Sequence, residues 1–389
     1  MSITSGYYMS EGSSHSRWGG KDIDNESALE EPSSEDSRME ITEGRGSMNP
    51  AIDKAAITGD VNALDDLERS ILDQISPQKN TILHIAASRG HGHFVEAILR
   101  RHQRLFKLKN SAGDLPIHLA ASSGHQSTVQ YLISNAKEDV KDGLKAVNKE
   151  RNTPLHLALK NLHIEVAQLL FDKNKEATYC LNKEGKSPLY MAVEAGYLNL
   201  VTVMLAHCYN IKMNNTDKMR QGKSIETRNK EFTQYSYMRD RNGFYPVHTA
   251  SEKGHINIIQ EFLERYPDFR ELLNRKGQNI LHTAAKNGKA NIVRCMLKVA
   301  KLENLINGKD KNRNTALHLA TKKVHPKVVS ILTWDKRVSL ELPNNRGMTA
   351  LDIAEDYRGS IPSFQQYILN CMRKEENGNI TLPMWRWSM

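Results

Sequence analysis

The sequence predicts an all-α solenoid of about nine repeats, each consisting of a β-turn followed by two antiparallel helices. The first observation is an eight-residue phrase, as in Asn-Thr-Ile-Leu-His-Ile-Ala-Ala ending at Ala87, that recurs along the chain. The second is its spacing, because the histidine or its equivalent returns after 34, 38, 34, 58, 34, 36 and 34 residues. The third is an amphipathic helical pattern that follows each phrase. We call the recurring position the marker, and it is occupied by His84, His118, His156, Tyr190, His248, His282, His318 and Asp352.

A turn is predicted before each marker. An Asn, Asp or Ser stands eight residues ahead of it, and such side chains accept hydrogen bonds from the backbone two residues on. Five residues ahead of most markers stands a glycine, which reaches positive φ without steric cost. Lys79, Arg151 and Arg313 occupy this glycine position in three repeats. We expect slight backbone strain at these three residues.

The first helix of each repeat is predicted to begin at a Thr or Ser cap, such as Thr81 or Thr153, three residues before the marker. Paired alanines after the marker keep this helix thin, and a glycine six residues after the marker ends it. Leu162 and Val324 replace that glycine in two repeats. The second helix carries apolar residues at i, i+1, i+4 and i+5. Pro326 falls in the first turn of its helix, where its missing N–H costs little.

The domain organisation follows from composition. Residues 1–48 are rich in Ser, Glu and Asp and are predicted to be a disordered acidic arm, because residues 1–47 carry ten acidic and four basic side chains. Since the whole chain has a net charge of +9, the remainder carries +15. Repeats are expected over 49–206 and 240–372, and 373–389 form a tail. The segment Ile52–Asp60 matches a degenerate first repeat, and terminal repeats are expected to be atypical.

A polar, basic insertion is predicted at 207–239, because the interval between Tyr190 and His248 is 24 residues longer than a 34-residue repeat. Insertions in repeat arrays map to loops on one face, often a functional one. The segment also holds several Ser, Thr and Tyr residues. A regulatory, phosphorylated loop and a tolerated surface loop both stay open as interpretations.

The sequence favours recognition over catalysis. Of the fifteen histidines, six occupy the marker and five follow the position that ends the first helix, so a structural role accounts for eleven. The strings Gly185-Lys186-Ser187 and Gly222-Lys223-Ser224 lack the earlier glycine of a phosphate loop. We predict no catalytic residues, no metal, no cofactor, no small-molecule substrate and no nucleic-acid partner. No stretch approaches 18 uninterrupted apolar residues, so no membrane span is predicted. Four scattered cysteines and the absence of an apolar leader favour an intracellular compartment.

The candidate binding site is a row formed by the two tip residues of each turn, seven and six residues before the marker. Seven tip residues are basic and two are acidic, and the last four tips contain no acidic residue. Stacked repeats place such tips along one edge, next to basic residues of the first helices. A site for an acidic or phosphorylated protein segment and general solubility both explain this charge. The predicted partner-binding residues are Arg89, Lys149, Lys160, Lys183, Arg241, Lys253, Arg275, Lys276, Lys286, Lys311, Lys322 and Arg346.

The repeated phrase and its period near 33 residues resemble the ankyrin repeat, from about Asn49 to Met372. The phrasing of Asn80–Ala87 and Gln278–Ala285, the divergent opener and the acidic leader are similar to the plant accelerated-cell-death-type ankyrin family. That resemblance implies a role in defence, salicylic-acid signalling and cell-death control. Members of that family usually continue into a C-terminal membrane region. Here only Arg373–Met389 follow the last predicted helix, so membrane residence does not carry over.

We therefore expect a cytoplasmic scaffold or adaptor, held near the plasma membrane or endoplasmic reticulum only through partners. The alternative is a truncated soluble regulator or decoy of membrane-anchored ankyrin relatives. A third interpretation, an enzyme within the insertion, lacks any catalytic pair. Deletion of residues 207–238 with full retention of function would remove it.

Overall fold

Each repeat consists of a tight turn and two short helices, as predicted. The computed structural model describes residues 48–64, 74–135, 140–208, 239–266, 269, 271–299, 303–356 and 370–371, all within one compact unit that spans 46–389. None of these described residues lies in a β-strand. Residues 1–47 of the predicted acidic arm, residues 209–238 of the predicted insertion and the whole predicted tail lie outside the described residues.

Nine first helices follow one another along the described chain, which confirms the predicted number of repeats. In order, they are Pro50–Thr58, Ile82–Arg89, Pro116–Ser123, Pro154–Lys160, Pro188–Ala195, Pro246–Lys253, Ile280–Lys286, Ala316–Lys322 and Ala350–Asp356. We number the repeats 1 to 9 by these helices.

Second helices are described for repeats 2 to 8. They are Gly92–Arg101, Gln126–Asn135, Ile164–Lys173, residues 198–208, Ile256–Arg265, Ala290–Lys298 and Pro326–Thr333. Short connecting helices are Val140–Lys145 and Glu303–Ile306, and 3₁₀ turns occupy Asn62–Leu64, Gln103–Lys107 and Lys175–Tyr179.

The core runs as a layer between the first and second helices. Each first helix packs against the first helix of the next repeat, and the second helices pack in the same order within repeats 2 to 4 and within repeats 6 to 8. Paired alanines such as Ala86 and Ala87 are fully buried, so the first helices approach closely. The second helices contribute the larger apolar side chains, such as Phe94 and Phe262. A repeat therefore buries its apolar faces mainly against its neighbours.

The marker histidine joins each first helix to the next repeat. In repeat 2 the Thr81 N–H donates to His84 Nδ1 at 3.2 Å, and the Thr81 hydroxyl accepts from the His84 N–H. On its other side, His84 Nε2 lies 2.9 Å from the Asp114 carbonyl of repeat 3. Since Nδ1 accepts from an N–H and Nε2 faces a carbonyl, we assign the ring as neutral with its proton on Nε2. The same box recurs at His156 and His318.

Positive φ appears where the sequence predicted it. Lys79, Arg151 and Arg313 have φ of 57°, 58° and 57°, which confirms the expected strain. Leu162 and Val324, which replace the glycine that ends the first helix, have φ of 63° and 58°.

A second histidine packs under that glycine. In repeat 4, His163 Nε2 donates to the Ser122 carbonyl of repeat 3 at 3.1 Å. A Cβ on Gly124 would lie 2.5 Å from His163 Nδ1, so only glycine fits above the ring. His91, His125, His255 and His325 make the same kind of bond to the preceding repeat.

Repeats 5 and 6 pack directly on each other although the insertion separates them in sequence. The Tyr190 hydroxyl donates to Asp240 Oδ2 at 3.1 Å and lies 2.5 Å from the Thr249 hydroxyl. The Tyr266 hydroxyl donates to the Leu205 carbonyl at 3.4 Å. Helical structure continues through residue 208, so the segment predicted as an insertion begins inside the last turn of this helix.

Candidate functional site

Main-chain hydrogen bonds join the tips of successive turns into one row. The Ser111 N–H donates to the Gln78 carbonyl at 2.8 Å, and the Lys149 N–H donates to the Ala112 carbonyl at 3.0 Å. Equivalent bonds continue to repeat 9, where the Asn345 N–H donates to the Asn312 carbonyl at 3.0 Å. Between repeats 6 and 7 the Arg275 N–H donates to the carbonyl of Gly243, one residue after the tip, at 3.3 Å. The turn tips of repeats 2 to 9 therefore lie side by side.

The turns themselves are built by their first Asn or Asp. Asn110 Oδ1 accepts from the N–H groups of Ala112 and Asp114, at 3.0 and 2.9 Å. The Asn110 amide also donates to Asn80 Oδ1 of the preceding repeat at 2.9 Å. This side chain thus fixes both the shape of its own turn and its position on the previous turn, so the tip residues are held on a rigid edge.

The predicted site residues fall on this edge and on the adjoining ends of the first helices. Eleven of the twelve are exposed, and Lys286 is half-buried. The turn tips hold Lys149, Lys183, Arg241, Arg275, Lys276, Lys311 and Arg346, and the first helices hold Arg89, Lys160, Lys253, Lys286 and Lys322.

The two halves of the row differ in charge. In the first half, Lys183 Nζ lies 3.3 Å from Glu150 of the preceding tip, so an acidic neighbour offsets this lysine. The tips of repeats 6 to 9 carry no acidic residue. We call these five basic tip residues the basic edge: Arg241, Arg275, Lys276, Lys311 and Arg346.

Arg275 holds a defined position within the basic edge. Its Nη1 donates to the Arg241 carbonyl at 2.8 Å. Its aliphatic stem crosses Gly243, where a Cβ would approach the Arg275 Cγ to 2.1 Å. The guanidinium still has N–H donors that this bond does not use. An anionic group can therefore reach it without moving the turn.

Lys286 lies behind the basic edge, in a region with excess positive charge. Burial lowers the pKa of Lys286, and the charges of Lys276 and Lys323 lower it further. Glu252 acts in the opposite direction. An anion placed among these lysines would therefore relieve mutual repulsion.

The structure also brings together residues that the sequence analysis did not combine. Lys160 and Lys253, predicted separately, line one cavity with Lys186, Glu194 and Leu162. These cavity residues could not be predicted from the tip residues of single repeats, because they come from three repeats. The available signal was Leu162 at a position that is usually glycine.

The titratable groups of the repeat interior serve packing. Burial lowers the pKa of His84, His118, His156 and His248 to about 4, so these rings are neutral at physiological pH. Within the described residues, no group of three or more His, Cys, Asp or Glu side chains could hold a metal ion. Over the same part of the chain, no helix is both long and apolar enough to cross a membrane.

The sequence matches a family model described as ankyrin repeats in three copies, at residues 52–142, 137–217 and 225–304. These ranges cover more than half of the chain. Among curated proteins, it is 29% identical over 246 residues to Protein ACCELERATED CELL DEATH 6 of Arabidopsis thaliana, which covers 59% of this chain and 34% of that protein. It is 26% identical over 191 residues to a transient receptor potential cation channel subfamily A member 1 homolog of Caenorhabditis elegans, covering 49% and 13%.

The chain thus spans about a third or less of the length of these two relatives. Among solved structures, the ankyrin repeat domain of Bcl-3 aligns with a TM-score of 0.47 and 21% identity, over 61% of this chain and 95% of that domain.

Proposed function

Because this chain belongs to the ankyrin-repeat family, whose repeats form protein-interaction scaffolds, we propose that its partners bind through acidic or phosphorylated segments. The proposed site is the basic edge together with the adjoining ends of the first helices. The observation that carries the proposal is the continuous row of turn tips in repeats 6 to 9, in which every charged tip residue is basic.

Charge and rigidity both support this site. Because the turns are already fixed by their hydrogen bonds, their backbone loses little conformational freedom when the basic side chains pair with carboxylates or phosphates. The partly buried Lys286 adds positive charge behind the edge. Arginine at three of the five positions suits bidentate contacts with carboxylate or phosphate oxygens.

For the cellular role, we propose a scaffold in plant defence and cell-death signalling. The similarity to the Arabidopsis protein supports this role. We place the protein in the cytoplasm, held at the plasma membrane or endoplasmic reticulum through its partners. The alternative is a regulator that binds membrane-anchored ankyrin relatives through its repeat surfaces.

Proximity labelling in plant cells tests the partner-binding site, with the full chain as bait and membrane fractions retained. The test variant reverses four charges of the basic edge. Its substitutions are Arg241→Glu, Arg275→Glu, Lys276→Glu and Lys311→Glu. The control variant reverses four exposed charges on second helices, which gives the same change in net charge. Its substitutions are Lys173→Glu, Arg294→Glu, Lys298→Glu and Lys327→Glu.

We expect the test variant to lose a set of labelled proteins that the control variant retains. Those proteins should share acidic or phosphorylated segments, and their binding in vitro should weaken as salt increases. Equal labelling by wild type and both variants would overturn the proposed site. Recovery of membrane-anchored ankyrin relatives by all three baits would favour the regulator.

A further inference from the structure

A cavity of about 360 Å³ opens beside the turn-tip row between repeats 4 and 6. Its walls include Lys160 and Leu162 from the end of the first helix of repeat 4. Lys186 and Met191 of repeat 5 contribute to the same cavity, and Lys253 of repeat 6 lines it as well. The cavity therefore combines apolar side chains with basic ones on the surface proposed to bind partners.

The cavity lies at a junction that lacks the contact between a glycine and the histidine of the next repeat. At five other junctions a histidine packs under a glycine and donates to the preceding repeat, but repeat 4 has Leu162 for the glycine and repeat 5 has Tyr197 for the histidine. Among the described residues, no histidine donates to the Lys160 carbonyl. The junction of repeats 6 and 7 also lacks the histidine, yet it retains Gly254, against which the Lys289 side chain packs.

Leu162 has two features that are unfavourable for the stability of the fold. Its φ of 63° is one that leucine rarely adopts, and 62% of the residue is exposed. The other residues with positive φ at glycine positions are the basic Lys79, Arg151 and Arg313 and the half-buried Val324. Among the described residues, Leu162 alone combines this strain with an exposed apolar side chain. Such strain clusters at binding sites, where the surrounding structure maintains it.

The charges around the cavity are arranged in two groups. Lys186 Nζ lies 3.1 Å from Glu184 and 2.9 Å from Glu194, so two carboxylates hold it in place. Lys160 and Lys253 are exposed and form no ion pair with any described residue. They come from repeats 4 and 6, with the first helix of repeat 5 between them. Their charges are available to an incoming anionic group.

We propose that this cavity receives an aliphatic side chain of an acidic partner segment, with carboxylates that flank it reaching Lys160 and Lys253. This inference rests on the proposed function and adds specificity to it. The basic edge alone would accept any acidic segment, because its contacts are electrostatic. An apolar side chain placed against Leu162 and Met191 selects among acidic segments, since burial of apolar surface requires a matching shape.

Selection from a phage library of random dodecapeptides on the purified full chain tests the proposal. The same library is selected against Leu162→Gly, against Lys160→Glu/Lys253→Glu, and against the basic-edge variant of four substitutions. Glycine at position 162 removes the apolar side chain and suits its positive φ, so this variant tests binding without strain on the fold. Circular dichroism and thermal unfolding check that each variant is folded.

We expect wild type to enrich peptides with Leu, Ile or Met between acidic residues. A synthetic peptide of that consensus, measured by fluorescence polarisation, should bind Leu162→Gly about tenfold more weakly than it binds wild type. A peptide with alanine in place of the aliphatic residue should bind wild type about tenfold more weakly than the consensus peptide does.

Each contrary result has its own meaning. Acidic peptides without a shared aliphatic residue, bound equally by wild type and Leu162→Gly, would overturn the cavity and leave the basic edge intact. Enriched peptides without acidic residues, or no enrichment, would overturn both proposals.

Discussion

Lowering the pH from 7.5 to 5.0 should unfold the repeat array, because its buried histidines are neutral in the folded protein. Burial lowers the pKa of His84, His118, His156 and His248 to about 4. In the unfolded chain the same rings titrate near about 6.5. The stability that depends on the neutral rings is therefore present above pH 6.5 and is lost as the pH falls towards 4.

The magnitude follows from linkage. A histidine with a pKa of about 4 when folded and about 6.5 when unfolded loses roughly 2 kcal/mol of stability at pH 5. The four rings together lose on the order of 8 kcal/mol, which is comparable with the roughly 5–15 kcal/mol that stabilises a typical domain. We therefore expect unfolding between about pH 6 and 5, above the range where ordinary carboxylates titrate.

The hydrogen bonds act in the same direction as burial. In His84, Nδ1 accepts from the Thr81 N–H and Nε2 faces the Asp114 carbonyl. A second proton on Nδ1 would oppose the Thr81 N–H, which donates to that nitrogen in the neutral ring.

Urea unfolding monitored by circular dichroism at pH 7.5, 6.5, 5.5 and 5.0, at constant ionic strength, measures this loss. The substitution His118→Gln should reduce the pH dependence, although it also lowers stability at pH 7.5. The exposed His93 provides the matched control, since His93→Gln should leave the pH dependence unchanged. A change of less than about 1 kcal/mol in unfolding free energy between pH 7.5 and 5.0 would refute the reasoning.

Three further predictions concern single substitutions, each measured by urea unfolding. Gly124→Ala should lower the free energy of unfolding by roughly 2–4 kcal/mol, because it adds left-handed strain and a clash with the histidine ring of the next repeat. A Cβ at Gly347 would meet nothing within 4 Å, so Gly347→Ala should lower it by only about 1–2 kcal/mol. Equal losses would show that the ring does not matter. Tyr190→Phe should lower the free energy of unfolding by roughly 1–3 kcal/mol, because it removes the hydroxyl that bonds repeat 5 to repeat 6. The Tyr131 hydroxyl makes only an exposed hydrogen bond with a histidine, so Tyr131→Phe should change stability by less than about 0.5 kcal/mol. Leu162→Gly should change stability by less than about 1 kcal/mol, because relief of strain offsets the added freedom of glycine; a larger loss would mean that the leucine packs more than its exposure indicates.

The fold could be predicted because each repeat carries its own instructions. Turn residues, caps and left-handed positions are local features, so even the positive φ of Arg151 could be predicted from its position five residues before the marker, where most repeats have glycine. The binding surface was only partly visible. The turn-tip residues Lys183 and Glu150 are 33 residues apart in sequence, and their ion pair forms only because two turns lie side by side.

The cavity was beyond the sequence analysis for a different reason. It lies at the junction where Leu162 and Tyr197 replace the glycine and the histidine, and its wall includes Lys186, which two glutamates hold in place. The first feature spans two repeats, and the second depends on the orientation of one side chain within repeat 5. The direct packing of repeats 5 and 6 was also hidden, since it depends on Tyr190 bonding to side chains that follow the insertion.

The row of main-chain bonds between turn tips has a mechanical consequence. Each of the seven junctions from repeat 2 to repeat 9 carries its own N–H to carbonyl bond. Tension applied to the two ends of the array loads these junctions in series, so the weakest gives way first while the others remain closed. The array then extends stepwise, as one junction between repeats opens after another. A ligand that contacts several turn tips holds the junctions between those repeats closed against tension.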